Sequence, residues 1–356
     1  MVSILVTMIM IIVISLIVLG FAEVTRRNSR EALDSQLSSQ AFYAAESGVN
    51  AAAKWLSANL TAVVTSTNCQ SFITDTANGL GGTYSNNSST DATYPNATNV
   101  LDATSNVRYN CLMVDTTPTA LEAKPLNQDT TKILHIANTD GAAFQTFTFN
   151  WAKQTGSTRP AACNKTDYSL PAYNSWPCQY GILRVDLVPI NGGNFNQAEV
   201  EANSSSKVTT LYMIPSLTAG TPASVNVNAP SSVIGCAGAN CPAQTVLVHC
   251  AASGCSQTLS LGGGSNEYYA RLTMLYQDSD DVRLSATDSG SPSLFKGGQA
   301  VIDSTGQAQD ELRRVQVRLP MTAEGPNTPL YALQTTDEVC KQLDVGPAVP
   351  YTDNCP

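Results

Sequence analysis

Charge is scarce in this 356-residue sequence, and the familiar signatures of catalysis are missing from it. Only 13% of the residues are Asp, Glu, Lys or Arg, and together they give a net charge of −9. Direct binding of nucleic acid normally requires a basic patch, because Lys and Arg must neutralise the backbone phosphates. The composition therefore argues against a nucleic-acid partner, and it is ordinary for an exported surface protein.

Residues that could act in catalysis or bind a metal ion are few. His135 and His249 are the two histidines, and each lies in an apolar run typical of a strand, which favours a structural role. No H-E-x-x-H, G-x-S-x-G or Walker motif is present, and the glycines at 262–264 lack the Lys-Ser/Thr of a phosphate-binding loop. The aspartates within 278–281 could hold calcium, but a solvated turn is the simpler interpretation. We predict no enzyme activity, no cofactor and no metal site; the alternative from another class is a membrane-anchored exported enzyme.

Charged side chains are also absent from the N-terminal run Met1 to Ala22. As a helix this run would be about 33 Å long, enough to cross a hydrocarbon core of about 30 Å. No basic leader precedes it and no small-residue cleavage site follows it, so it differs from a signal peptide. The run predicts a helix buried in a membrane or in an apolar core. A plain signal anchor for a soluble domain is the alternative.

The residues after this run continue as an amphipathic helix, so that 1–55 forms one long helix with an apolar half and a polar stem. Glu23 and Arg27, and likewise Arg27 and Glu31, are four residues apart and can pair along one face. Apolar residues recur every three or four positions, which predicts a stripe that the chain's own head or neighbouring copies must cover. Small residues within the stripe allow a close approach of another helix or of a sheet. The stripe consists of Leu33, Leu37, Ala41, Ala44, Gly48, Ala51 and Trp55.

Two stretches of this helix together resemble the N-terminal region of the type IV pilin superfamily, in particular that of PilX-like minor pilins. One is the apolar run from Met1, and the other is QAFYAAESGV at 40–49, which is similar to the family's QAFxAAExG segment. The resemblance covers about the first 55 residues. It implies that a prepilin peptidase removes a short leader, that Met1 is the mature and methylated first residue, and that apolar half-helices pack into the core of a filament.

Two positions depart from the family pattern. Most pilins carry Glu at the fifth position and Pro near the twenty-second, where this chain has Leu5 and Ala22. The family's glutamate is thought to meet the N-terminal amine of a neighbouring subunit, so we expect Ser3, Thr7 or backbone carbonyls to solvate that amine here. The missing glutamate keeps open a role as a minor pilin. The expected filament-core positions are Leu5, Thr7, Ile11, Ser15, Gly20 and Glu23.

The ten cysteines all lie after residue 68. Their even number, downstream of an export-like segment, indicates disulfides formed in an oxidising compartment. The middle four could pair sequentially or in a nested order, and the strand-like run at 245–249 favours the sequential order. A zinc site made by these four is the alternative, although structural zinc prefers tighter C-x2-C spacing. The expected pairs are Cys69–Cys111, Cys163–Cys178, Cys236–Cys241, Cys250–Cys255 and Cys340–Cys355.

The remainder of the chain predicts a mainly antiparallel β head, and the fold class is therefore α+β. Residues 56–130 are rich in Ser, Thr, Asn and Gly, which predicts loops with scattered short strands, and β-forming runs separated by turn residues follow. The expected regions are the helix at 1–55, a loop-rich β region at 56–200, an antiparallel region at 201–320 and a disulfide-closed loop at 321–356. The expected strands are 132–136, 144–151, 180–190, 208–214, 223–228, 246–250, 268–276, 282–286, 300–303 and 312–319.

With the resemblance, these features predict a structural subunit of an extracellular type IV pilus-like filament, inserted in the cytoplasmic membrane before assembly. The head would be displayed at the cell surface for adhesion or twitching motility. The expected partners are copies of the same chain, the pilus assembly machinery, the inner membrane, and a receptor on a host cell or another surface. The alternative within the family is a minor or tip pilin, or a pseudopilin of a secretion system.

Overall fold

The computed structural model describes residues 2–85, 96–152, 175–190, 209–216, 223–225, 245–261 and 265–321. The side chains of residues 2–7, 9 and 223–225 are not part of this description. The chain divides into two compact units, Met1–Thr322 and Ala323–Pro356. The second unit lies outside the described residues, and with it almost all of the predicted C-terminal loop at 321–356.

The first element is helix α1, which runs from Val2 to Ala58 and confirms the prediction of one long N-terminal helix. At about 1.5 Å per residue it is roughly 85 Å long. It contains no proline, and several of its hydroxyl side chains donate to carbonyls one turn earlier, as Ser15 Oγ does to the Ile11 oxygen at 2.8 Å. The side-chain amide of Asn59 donates to the Trp55 carbonyl at 2.8 Å, where the helix ends.

The described part of the chain then contains one short helix, α2 (Ser71–Thr74), and sixteen strands. The strands are β1 (Val100–Asp102), β2 (Val107–Asp115), β3 (Ala120–Ala123), β4 (Thr131–Asn138), β5 (Thr146–Ala152), β6 (Ile182–Pro189), β7 (Thr209–Ser216), β8 (Ala223–Val225), β9 (Thr245–Ala251), β10 (Gly254–Leu261), β11 (Glu267–Leu275), β12 (Asp281–Asp288), β13 (Ser291–Pro292), β14 (Phe295–Lys296), β15 (Gln299–Ala308) and β16 (Glu311–Pro320).

These strands form two sheets. The smaller, which we name the stem sheet, has the order β1-β2-β15-β16 and is antiparallel throughout. The larger, the head sheet, has the order β13-β12-β5-β10-β9-β7-β6-β11-β4-β14, with β3 paired to β12 and β8 to β10. Its pairs are antiparallel except β7–β9 and β8–β10. The predicted α+β class with a mainly antiparallel head is confirmed.

The two halves of the head sheet face each other across one core. Side chains alternate between buried and half-buried along β11, which is the pattern of a strand with one face in the core. The rings of Phe147 on β5 and Tyr268 on β11 lie 5.2 Å apart, although these strands are well separated in the order of the sheet. Phe144 and Phe295 complete this aromatic contact at 5.9 Å. The head therefore buries its apolar residues between two layers, as β-sandwiches do.

Ten strands lie where the sequence predicts them, and the stem packs on a sheet, but two long strands were not predicted. The first is β2, nine residues long, within 56–130 where the sequence predicts loops with only short strands. The second is β10, which follows the turn after β9. Strands from both sides of residue 200 take part in both sheets, because β2 pairs with β15 and β5 pairs with β10 and β12.

Candidate functional site

Helix α1 has two segments with different surroundings. In the docked segment, residues 37–58, one face of the helix packs on β2, β15 and β16 of the stem sheet. In the exposed segment, residues 10–36, every side chain is exposed. We treat the helix as the candidate functional site, because it unites an internal interface with a large uncovered surface.

The predicted apolar stripe is buried only in the docked segment. Ala41, Ala44 and Gly48 are buried there, as expected. Leu33 is 58% exposed, so the chain's own head does not cover it, because the stem sheet contacts the helix only further along the chain. The alternative, that neighbouring copies cover it, stays a prediction. Beyond Gly48 the buried positions shift by one residue from the predicted ones, since the helical period is 3.6 rather than 3.5. The side chains that are buried at this end are Val49, Ala52 and Leu56.

Small residues on both partners allow the helix backbone to touch the sheet. A Cβ atom on Gly306 of β15 would overlap the carbonyl oxygen of Ala41 and the backbone nitrogen of Ala45. A Cβ atom on Gly48 would overlap the hydroxyl of Ser304 and lie 3.1 Å from Cγ of Tyr109. The close approach that the sequence predicts for the small residues is therefore present, with Gly306 and Ser304 as the residues opposite them.

Tyr109 and its neighbours close the other side of this contact. The ring of Tyr109 is buried beside Gly48, and its hydroxyl donates to the Thr98 carbonyl at 2.6 Å. Burial raises the pKa of this phenol to about 12, so it stays neutral and remains a donor at physiological pH. On β16, Arg313 Nε donates to the Ser38 hydroxyl of the helix at 2.7 Å.

The C-terminal end of α1 is fixed to the stem sheet by backbone pairing and by a disulfide. The Ser66 amide donates to the Val114 carbonyl at 2.8 Å, and the Thr116 amide donates to the Val64 carbonyl at 2.8 Å. Cys69 is bonded to Cys111 of β2, one of the expected pairs. The docked segment is therefore held to its sheet at the end where it leads into the head.

The first part of the exposed segment, together with Met8 before it, is apolar around the whole helix, and charged side chains begin at Glu23. Twelve large apolar side chains between residues 8 and 24 are 47–68% exposed. They are Met8, Met10, Ile11, Ile12, Val13, Ile14, Leu16, Ile17, Val18, Leu19, Phe21 and Val24. Over the residues that the structure describes, no helical stretch is both long enough and apolar enough to cross a bilayer. The predicted span also includes 1–7 and 9, whose side chains lie outside the described set.

The expected filament-core residues lie along this exposed segment. Ile11 is 65% exposed, Ser15 satisfies its hydroxyl within the helix, and no atom lies within 4 Å of a Cβ built on Gly20. Glu23 pairs with Arg26 at 3.9 Å and begins a short charged belt. The belt continues with the expected pair of Arg27 and Glu31 at 3.2 Å. Met1, Leu5 and Thr7 lie outside the described side chains.

The remaining cysteines are described only in part. Cys250 and Cys255 form a disulfide, as expected, so they offer no thiolate to a zinc ion. Cys178 is disulfide-bonded, while its expected partner lies outside the described residues. The expected pairs Cys236–Cys241 and Cys340–Cys355 lie wholly outside them. Across the described ranges, no group of three or more His, Cys, Asp or Glu side chains is arranged to hold a metal ion.

The contact residues opposite the helix were missed from the sequence, although one signal was present. Gly306 interrupts the β15 run, and a glycine inside a strand often marks the close approach of another backbone. Ser304 gave no such signal, since its place opposite Gly48 depends on the strand register.

A long N-terminal helix packed on an antiparallel sheet, with disulfides in the head, is a pilin-like architecture. No family model, no curated protein and no solved structure matches this chain.

Proposed function

We propose that this chain is a structural subunit of an extracellular type IV pilus-like filament that assembles through its N-terminal helix. The observation that carries the proposal is the part of α1 before the charged belt, whose exposed apolar side chains surround the helix on all sides. An amphipathic surface helix covers its apolar stripe with its own domain. A helix that is apolar all round needs apolar neighbours on every side, and other helices of the same kind can supply them.

The magnitude of the burial means that this surface must be covered. Full burial of one large apolar side chain stabilises by about 1.5–3 kcal/mol, so leaving the twelve side chains in water would cost on the order of 20 kcal/mol. Before assembly a membrane would shelter the same surface. Polymerisation would then exchange lipid contacts for helix contacts, which requires little net change in apolar exposure.

The charged belt supports a boundary between the assembly core and the head. Glu23, Arg26, Arg27 and Glu31 are strongly exposed, and they form ion pairs within the helix. Exposed ion pairs of this kind contribute little to stability. We therefore infer that these charged residues serve to keep this part of the helix in water. In the proposed filament the segment before Glu23 lies in the core, and the docked segment carries the head outside it.

One sequence feature favours a low-copy role within such a filament. Leu5 stands where most pilins have the glutamate that meets a neighbour's N-terminal amine, and minor pilins often lack it. The second candidate is therefore a minor or tip pilin. The abundance of this chain in sheared surface filaments distinguishes the two, because a major subunit dominates the preparation and a minor one is a trace component.

A site-specific photo-crosslinker tests the proposal in intact cells. Placed at Ile14, 57% exposed, it should yield a ladder of covalent oligomers of this same chain. Placed at Lys296, an exposed head residue, it should give no such ladder and serves as the matched control. Crosslinks from Ile14 to lipid alone, in cells that carry filaments, would refute the proposal.

A further inference from the structure

Three neighbouring strands of the head sheet place nine polar side chains in a regular grid on their outer face. Along β10, β5 and β12 the alternate residues are buried in the core, and the residues between them are exposed or half-buried. Pairing of β5 with both neighbours aligns these outward side chains in rows. The three rows are Ser260–Thr146–Thr287, Thr258–Thr148–Ser285 and Ser256–Asn150–Arg283.

The grid is almost entirely neutral and rich in hydroxyl groups. Seven of its nine side chains are Ser or Thr, one is an amide and one is a guanidinium. With about 3.3–3.4 Å per residue along a strand and about 4.8 Å between strands, it covers roughly 13 Å by 10 Å. Two cross-strand pairs fix its hydroxyls: Thr148 and Thr258 at 2.8 Å, and Thr146 and Thr287 at 2.6 Å. A hydroxyl has one donor and two acceptor positions, so each pair keeps hydrogen-bonding capacity for a ligand.

A groove of about 670 Å³ lies over part of this face, at the end that holds the Ser256–Asn150–Arg283 row. Grid residues that line it include Asn150, Ser256 and Ser285, and Thr119 and Pro292 stand beside them. A second groove of about 290 Å³ shares Thr119 and Arg283 with the first. The two grooves therefore meet at Arg283, which gives an extended site at the edge of the grid.

Arg283 is the charged member of the grid, and within the described ranges its guanidinium has neither a hydrogen bond nor an ion pair. The two carboxylates beside it are already engaged. Lys124 contacts Glu122 at 2.9 Å and Asp281 at 3.2 Å, and Arg318 contacts Glu122 at 3.0 Å. Burial opposes the charge of Lys124, but its two carboxylate partners outweigh this and raise the pKa of its ammonium group. Asp115 also lines the second groove, so three cations and three carboxylates meet at this corner. Arg283 is the cation among these six groups that has no carboxylate partner in the described structure.

We propose that this grid binds a short acidic oligosaccharide, whose carboxylate or sulfate pairs with Arg283 and whose ring hydroxyls hydrogen-bond to the Ser and Thr rows. Neutral hydroxyls that both donate and accept match sugar hydroxyls, and an arginine fork matches an anionic group. A single unpaired cation is too few for a polyanion such as nucleic acid, which several basic residues must neutralise. The assignment does not depend on filament formation, because the grid belongs to the head of a single chain.

Binding of soluble sugars to the full-length chain in detergent tests the assignment. The probes are trigalacturonate with its methyl ester, sialyllactose with lactose, and a sulfated heparin disaccharide with its desulfated form. In at least one pair the more acidic member should bind more tightly than its counterpart, which is neutral in the first two pairs and keeps only its uronate carboxylate in the third. Arg283→Ala should weaken that binding by about tenfold or more, since it removes a charge-assisted hydrogen bond from an arginine with no structural partner.

Matched variants separate loss of the site from loss of folding. Thr148→Val removes one grid hydroxyl and should weaken binding several-fold, whereas Thr131→Val breaks a comparable cross-strand hydroxyl pair outside the grid and should leave binding unchanged. Lys132→Ala, which removes an exposed cation on β4, should also leave binding unchanged. Absence of binding to every acidic probe overturns the assignment, as does equal binding by Arg283→Ala and the parent chain. An equal loss in Lys132→Ala also overturns it, since binding would then follow overall charge.

Discussion

The two segments of α1 belong to one helix, yet they are built from different residues. The docked segment presents Ala41, Ala44, Ala45 and Gly48 to the stem sheet, and their small size lets backbone approach backbone. The exposed segment, up to its charged belt, presents mainly Ile, Leu, Val and Met, which would hold any partner at side-chain distance. The contrast teaches that one helix carries two kinds of surface: a tight one that this chain covers itself, and a wide apolar one that stays exposed in the described structure and that we propose other copies cover.

The largest expected effect comes from placing a charge in the exposed segment. Ile14→Glu should abolish filament assembly, because a carboxylate buried among apolar helices has no partner to offset its desolvation. Electron microscopy of surface filaments measures the loss, and protease resistance of the head reports that the domain still folds. Ser29→Glu, in the polar part of the same helix, is the matched control and should assemble. If the Ile14→Glu variant forms normal filaments, the exposed segment is not buried among apolar helices, and the proposed difference between the two segments is wrong.

The next largest effect comes from removing the disulfide that fixes the docked segment. Cys69 and Cys111 are 42 residues apart, and changing both to Ala should lower the free energy of unfolding by about 4 kcal/mol. Cys250 and Cys255 are only 5 residues apart, so the same change there should cost about 2 kcal/mol. Denaturant unfolding of the full chain in detergent provides both values. A smaller loss at Cys69–Cys111 than at Cys250–Cys255 would show that the first bond does not hold the helix.

A smaller effect follows from a single methyl group at the tight interface. Gly306→Ala should lower the free energy of unfolding by about 3 kcal/mol, because its Cβ meets helix backbone that cannot rotate away. Gly290→Ala is the control: it lies in an exposed turn with no atom within 4 Å, and its φ of +82° alone should cost about 1 kcal/mol. If the two variants are equally stable, the close approach at Gly306 is not present in solution.

The finest comparison makes the same change in both segments of the helix. Gly20→Ala should stabilise by up to about 1 kcal/mol through helix propensity alone, since nothing lies near its Cβ. Gly48→Ala should instead destabilise by about 1 kcal/mol, because the overlap with Ser304 and Tyr109 outweighs the same gain. Thermal unfolding of both variants measures the difference in sign.

A second change shows whether that overlap is the cause. Ser304→Ala removes the hydroxyl that Gly48→Ala would strike, and the Ser304 oxygen is buried without a hydrogen-bond partner in the described structure. The double variant should therefore recover at least half of the lost stability. If the double variant recovers no stability, the overlap with the Ser304 hydroxyl is not the cause of the strain.

The sequence predicts local features of this fold well and its long-range pairings poorly. Helical and strand periodicity locates α1 and most of the head strands, because each pattern lies within one continuous segment. Strand β2 was missed because it lies in a Ser- and Asn-rich region and pairs with β15, almost two hundred residues away. The sequence left open whether the head or neighbouring copies cover Leu33, because the end of the stem sheet cannot be predicted from the helix. The grid around Arg283 could not be predicted from the sequence, because its rows form only when three strands pair in register.

Cryo-electron microscopy of sheared filaments, with N-terminal mass spectrometry on the same sample, tests the central claim most directly. The account predicts that residues 10–22 of each subunit are surrounded by the same segment of neighbouring subunits, with the heads outside and a methylated Met1 as the first residue. A functional assembly in which lipid encircles this segment, with no like segment beside it, would contradict the account.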